Sequence, residues 1–206
     1  MRRGVDQEAR SNAGVSWAVG DTWTGARIRL RAVEPADWET HFLWDQDSET
    51  ARSLDHVHFP HSREAAKRWA ERASLQEGKT SDDFDFEIET HAGEQVGAIG
   101  THHCERRAGT FSYGIAIRAE HMRKGYASEA ILLLLRYFFH ELGYQKATAQ
   151  VYSFNAPSIA LHERLGFQRE GRLRRMIFTQ GRHFDALYFG MTREEFEAQH
   201  LPTTSE

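Results

Sequence analysis

The sequence is short of the features that would assign its class at once. One cysteine, Cys104, in 206 residues excludes an internal disulfide and any cysteine-rich zinc framework, and makes the cytoplasm the expected compartment. The longest apolar run, Ala130–Leu135, falls far below the ~20 residues that cross a bilayer, so no membrane span is expected. Neither sign of charge dominates: 26 basic against 30 acidic residues give a net charge of −4, with no global reason to bind nucleic acid or an anionic membrane. Repeats and low-complexity linkers are absent. Two phosphate-binding patterns are missing as well. Gly78-Lys79-Thr80 ends like a P-loop, but Ala73 stands where its first glycine is required. No Gly-x-Gly-x-x-Gly follows a strand.

What is present is the composition of one globular domain: 40% hydrophobic, 12% aromatic and 27% charged residues, enough to bury a single sizeable core. The 12 histidines are the compositional oddity. Residues 1–22 lack periodicity and read as a loose arm whose Trp17, with Trp23 just beyond it, packs back on the domain. Asp6, Gln7 and Glu8 break any signal-peptide core. The domain is expected over residues 23–196, with 197–206 as a polar tail.

Arg27-Ile28-Arg29-Leu30-Arg31-Ala32 alternates charged and apolar residues, the period-2 pattern of a half-buried strand. Pro35 suits the start of a short helix with Trp38, Phe42 and Leu43 on one face. A loop rich in His, Asp and Pro follows. Ser62 is the expected N-cap of a second helix whose stripe is Ala65, Ala66, Trp69 and Ala73, ending near Gly78. Residues 84–90, 95–104 and 110–117 read as an antiparallel meander. Ala127, Ile131, Leu134, Leu135, Phe138 and Leu142 recur at three- and four-residue intervals, which marks the main helix, capped at Gly143. A strand over 146–152, a helix from Pro157 to Gly166 and strands over 168–178 and 183–191 complete an α+β, or mixed α/β, domain around a central sheet.

The chemistry concentrates where Ile115-Ala116-Ile117 runs through a short loop, Met122-Arg123-Lys124-Gly125, into the helix beginning Tyr126-Ala127-Ser128. An apolar strand, a basic loop with a closely approachable glycine and a helix N-terminus are the parts of an anion cradle. Free first-turn amides and the helix dipole favour negative charge, and Arg123 and Lys124 add two full charges. A solvated strand-loop-helix connection is the bland alternative. A second segment is Asn155-Ala156-Pro157-Ser158-Ile159-Ala160-Leu161-His162-Glu163-Arg164-Leu165-Gly166-Phe167. Helical spacing places Asn155, Ser158 and His162 on one face.

Together with Tyr113-Gly114-Ile115-Ala116-Ile117, these two segments resemble the GCN5-related N-acetyltransferase (GNAT) superfamily, in the branch of ribosomal-protein N-terminal and spermidine acetyltransferases. The resemblance spans about residues 27–196 in element order, with its specific motifs at 113–130 and 155–167. It implies a mostly antiparallel sheet splayed at the strands that bind coenzyme A, and acetyl transfer from acetyl-CoA to a primary amine by direct attack in a ternary complex. It places pantetheine along Ile115, Ala116 and Ile117, pyrophosphate on Met122, Arg123, Lys124, Gly125, Tyr126 and Ala127 with Ser128 in the helix's first turn, and Asn155 and Ser158 beside the pantetheine arm. Met122 departs from the family pattern, which has a basic or amide residue there.

The resemblance also matches His162 to a tyrosine that protonates the departing thiolate in many relatives. Histidine can do the same, or relay a proton from the amine; it can equally just pack. Ser158 can bond the thiolate or satisfy helix amides, and Asn155 can bond pantetheine or cap. No carboxylate occupies the 111–113 segment where some relatives carry a general base. Glu87 and Glu89 share a strand face and can reach the cleft, although solvation is the commoner fate of strand glutamates.

His56, His58 and His61 crowd one loop without a metal-ligand pattern, and alternation sends His103 away from His102 and Cys104, so no metal is expected. The acceptor is a small amine or a protein N-terminus: Arg172, Arg174, Arg175 and Arg182 suit an acceptor bearing a carboxylate or a peptide end, whereas Asp82, Asp83, Asp85, Glu87 and Glu89 suit a polyamine or aminoglycoside. A non-catalytic acyl-CoA-binding protein is the rival class. A monomer or homodimer without nucleic-acid partners is expected.

Overall fold

The computed structural model describes residues 21–54, 57–75 and 82–201. Alternation in β1 (Ile28–Ala32) buries Ile28 and Leu30 on one side of the sheet and turns Arg29 and Arg31 to the other. β1, β2 (Asp85–Thr90), β3 (Gln95–Glu105) and β4 (Thr110–Ile117) form the expected antiparallel meander. The chain then crosses through α4 (Tyr126–His140) to β5 (Lys146–Tyr152), which runs parallel to β4. β6 (Gln168–Thr179) and β7 (Arg182–Thr192) close a seven-stranded sheet of order β1-β2-β3-β4-β5-β7-β6. The mixed, mostly antiparallel architecture is therefore the one the sequence predicts.

α4 is buried almost all round. Ala130 to Leu135 are each at most 3% exposed, because the sheet covers one side and Trp23, Phe138, Phe139 and Phe196 join the same core. Trp23 packs on Phe86 and Tyr137 at ring distances of 4.9 and 4.3 Å; Trp17 lies outside the described residues. On the opposite side of the sheet sit a 3-10 turn (Pro35–Asp37), α1 (Trp38–Trp44), α2 (Ser48–Leu54) and α3 (Arg63–Ser74).

Three local expectations are corrected. α2 occupies part of the segment expected as a loop, with Ala51 buried beneath it. In α3 the buried stripe is Ala66, Ala70 and Ala73; Ala65 is exposed and Trp69 is half-buried, turned toward the His41 ring at 4.4 Å. The Ser62 cap is present, its hydroxyl accepting from the Ala65 amide at 3.1 Å. Finally, α6 (Arg193–His200) runs past residue 196 into the expected tail. A reciprocal capping box between Thr192 and Glu195 starts it, and fully buried Phe196 anchors it 5.6 Å from Phe139. Among the described residues no helix is long and apolar enough to cross a membrane.

Candidate active site

β4 pairs with β3 along nearly its whole length but with β5 only from Thr110 to Ser112. Beyond Ser112 the parallel neighbours part, while β5 stays paired with β7 as far as Tyr152. The edge of Gly114–Ile117 that faces β5 thus has no ladder partner among the described residues, and Ile115, Ala116 and Ile117 are only half-buried. Unpaired strand amides and carbonyls beside a wedge-shaped opening can hydrogen-bond an extended ligand.

The opening leads to the basic loop. A 3-10 turn (Ala119–His121) brings the chain to Met122, after which Arg123 and Gly125 adopt positive φ angles of 63° and 87°. Gly125 is the N-cap of α4 and supplies no side chain to the first-turn amides. Met122, Arg123 and Lys124 are exposed, while Tyr126, Ala127 and Ser128 are half-buried. Lys124 Nζ stands 3.4 Å from His121 Nδ1. Arg27 also reaches this loop: a Cβ on Gly125 would meet its Nη1 at 3.3 Å. Buried Glu129 fixes the Arg27 backbone, accepting from its amide at 2.8 Å.

α5 (Ala156–Arg164) carries the second motif. Asn155 Oδ1 accepts from the Ser158 amide at 3.1 Å, a regular N-cap. His162 Nδ1 donates to the Ser158 carbonyl at 2.8 Å, and the Ser158 hydroxyl lies 3.5 Å from the same nitrogen. That bond assigns the Nδ1–H tautomer and leaves Nε2 as an acceptor; Nε2 is buried with no partner among the described residues. His162 is 2% exposed, boxed by Tyr113, Phe167 and Phe189 at ring distances of 5.9, 5.2 and 5.6 Å. Burial pushes its pKa below the ordinary histidine value, partly offset by the bond to Ser158. The Tyr113 hydroxyl is likewise buried with no partner among the described residues, and burial raises its pKa well above the ordinary value.

On the α1 side, a cavity of about 200 Å³ is lined by residues including Leu43, Trp44, Asp47, Ala116, Ile117 and Glu120. It therefore touches β4 where the strand has left β5. The arginines of β6 and β7 line none of it; Arg172, Arg174 and Arg175 border a separate depression with Asp185.

Glu87 and Glu89 are buried at 0% and 6% exposure, which overturns the solvated reading. Glu89 accepts from Arg29 and Arg31; burial works to raise its pKa, but the two guanidiniums outweigh it and hold the carboxyl low. Glu87 accepts from Gln95 and lies 2.6 Å from His41 Nε2. Asp82 accepts from Tyr144 and Arg106, and Asp83 from the Cys104 amide. The acidic stretch is thus largely committed to internal partners. Cys104 is no nucleophile: burial, then Asp83, raises its thiol to about 12. The rings of His102 and His103 meet at 5.0 Å, because a bulge with His103 at φ 54° interrupts the predicted alternation. His56 lies outside the described residues, and His61 Nε2 is 3.3 Å from Asp45.

Arg27, Glu129, Tyr113 and the contact between His41 and Glu87 were not identified from sequence. A charged residue on the buried face of the main helix was a usable signal for Glu129. The others depend on tertiary placement.

A family model described as an acetyltransferase (GNAT) domain matches residues 27–168. The SPbeta prophage-derived uncharacterized N-acetyltransferase YokL of Bacillus subtilis is 46% identical over 179 residues, 86% of this chain and 97% of that protein. A spermidine N(1)-acetyltransferase of Escherichia coli is 30% identical over 111 residues, 52% of this chain and 58% of that one. Among solved structures, the spermidine N-acetyltransferase of Vibrio cholerae, in complex with CoA and spermine, superposes with a TM-score of 0.71 at 21% identity, covering 82% of this chain and 97% of that one.

Proposed function

The chain belongs to the acetyltransferase (GNAT) family and is an N-acetyltransferase acting on an amine; we propose that acetyl-CoA is its donor, that a small primary amine is its acceptor, and that the two react directly in a ternary complex. The single observation that carries the reading is the parting of β4 from β5 beyond Ser112, immediately before an uncapped helix N-terminus and a basic loop. That combination fits an extended thioester arm ending in phosphates.

In this reading Ile115, Ala116 and Ile117 bind the pantetheine arm through backbone groups, and one of their amides donates to the thioester oxygen as it gains charge. Met122, Arg123, Lys124, Gly125, Tyr126, Ala127 and Ser128 hold the pyrophosphate through amides and local charge. Asn155 and Ser158 fix the start of α5 beside the arm. The cavity between α1 and β4 admits the amine opposite the thioester.

The chemistry moves two protons. An alkylammonium must lose one before its nitrogen can attack; a second leaves as the tetrahedral intermediate collapses to the amide, and one of the two ends on the thiolate. His162 suits the second transfer. Its Nδ1–H is held by the Ser158 carbonyl and its bare Nε2 can take a proton from the intermediate and pass it to the sulfur. Lowered basicity makes the imidazolium a readier donor to a thiolate.

Acetyl-CoA incubated with a panel of polyamines, amino acids, aminoglycosides and peptide N-termini tests this, following free thiol and identifying products by mass spectrometry. A small amine turned over fastest supports the proposal. Preference for peptide N-termini moves the acceptor to the protein class, and tight CoA binding without thiol release from any amine defeats catalysis.

A further inference from the structure

The first proton has no acceptor in the residues above, and the other face of the sheet supplies one. The register lines up Arg31, Glu87, Ala98 and Ala116 across β1 to β4. Cross-strand partners project from the same face, so Glu87 and Ala116 share a face about 10 Å apart, two strand spacings, with only an alanine between them. Ala116 borders the cavity.

Above this row, α1 delivers His41. Its Nε2 lies 2.6 Å from Glu87 Oε1, and the other carboxylate oxygen accepts from the Gln95 side-chain amide. Glu87 is fully buried, and each of its oxygens has a polar partner. A carboxylate accepts and does not donate, so it selects the Nε2–H tautomer of a neutral His41 and leaves Nδ1 as a basic lone pair. His41 retains 17% side-chain exposure. Its ring meets Trp44 edge-on at 5.0 Å, and Trp44 is a wall of the cavity whose buried indole Nε1 has no partner among the described residues. A buried carboxylate that orients a still partly exposed imidazole is the pairing of a general base with its orienting group.

Resting on the acetyltransferase reading above, we infer that His41, held by Glu87, is the general base that removes the first proton from the acceptor ammonium. The proton passes from nitrogen to His41 Nδ1, directly or through one water, and then to solvent. The freed lone pair attacks the thioester carbonyl, the C–N bond forms and the C–S bond breaks, and the thiolate receives the amine's second proton by way of His162. His41 is catalytic in this scheme and Glu87 is a positioning residue. The charged groups nearest the pair are mutually engaged: Arg31 bridges Asp37 and Glu89. α3 brings the Trp69 ring against His41, and its Lys67 lies over Trp38, 4.9 Å from that ring.

The test uses the full chain with acetyl-CoA and spermidine, or, if spermidine is not turned over, the fastest amine of the panel. His41→Gln is expected to lower kcat at pH 7 by about 10²–10⁴-fold, the usual worth of a positioned base, with CoA affinity unchanged. The deficit shrinks about tenfold per pH unit toward the amine's own pKa, ~10.4 for an alkylammonium, because the free base then forms without help. A merely structural defect would not close in this way. Glu87→Gln no longer enforces one tautomer and is expected to lower kcat with the same pH dependence.

Long-range proton–nitrogen NMR on histidine-labelled protein reads the tautomer without any acceptor: Nε2–H at His41 is expected in the wild type and a mixture in Glu87→Gln. A pH-independent deficit, an undiminished kcat in His41→Gln, or an Nδ1–H tautomer in the wild type overturns the inference. Wild-type thiol release separates the two claims: if it occurs and His41→Gln matches it, only the base assignment falls. If no amine is acetylated, the proposed function falls and the base assignment with it.

Discussion

Replacing Gly125 separates the two things that residue does. Its φ of 87° lies in the left-handed region, where a side chain costs about 1–2 kcal/mol. A new Cβ would sit 3.3 Å from Arg27 Nη1, the far end of an exposed side chain that can move aside. Gly125→Ala is therefore expected to cost about 1–2 kcal/mol of stability, which for a domain of this size lowers Tm by roughly 2–8 °C, and to weaken CoA binding modestly. Gly125→Glu bears the same backbone cost and adds a carboxylate at the phosphate site. A unit charge about 5 Å from one phosphate charge, at an effective dielectric near 20, opposes binding by about 3 kcal/mol, or more than 100-fold in Kd. Pairing of the new carboxylate with Arg27 would withdraw a further positive charge from the cradle. Calorimetry with CoA and thermal unfolding on both variants read the two effects separately. Equal CoA affinity in Gly125→Glu and the wild type, alongside the expected loss of Tm, would refute the placement of the phosphates.

His162→Phe preserves the aromatic packing against Tyr113, Phe167 and Phe189 and is expected to lower kcat at least tenfold with CoA affinity unchanged; steady-state kinetics with calorimetry checks this. Asn155→Ala removes the acceptor of the Ser158 amide and should cost about 1 kcal/mol by denaturant unfolding. Stability should also fall on mild acidification. Burial lowers the pKa of His162 and, with help from nearby His103, that of His102, so the fold favours their neutral forms. The unfolded chain then binds more protons as pH falls through its ordinary histidine value of ~6.5. This contribution is complete above that value and lost below it, and unfolding curves from pH 8 to pH 5 should show a shallower decline in His162→Phe than in the wild type.

The strands were legible because their signals are local. β1 alternates, the meander is punctuated by turns at 91–94 and 106–109, and α4 declares itself by spacing. The two motif segments stood out for the same reason, and the Asn155 cap follows from its place before Pro157. α2 carries too little apolar periodicity to be found, with Ala51 as its buried contact. α6 does carry a local signal, Thr192-Arg193-Glu194-Glu195, which has the capping-box spacing. The burial of the β2 glutamates is not legible locally, because solvation is a tertiary property. Glu87 and Glu89 are covered by α1 and by β1 arginines, whose partners lie 46 and about 60 residues away along the chain. His41 shows no local mark of its role for the same reason.

The opened strand and the loop beyond it are the proposed seat of acetyl-CoA. Titrating CoA into isotope-labelled protein and following backbone amide shifts tests that directly. The prediction is that Ile115–Ile117 and Gly125–Ser128 move most and saturate together, with the outer residues of β6 little affected. Saturable CoA binding that leaves both of those segments unmoved would contradict it.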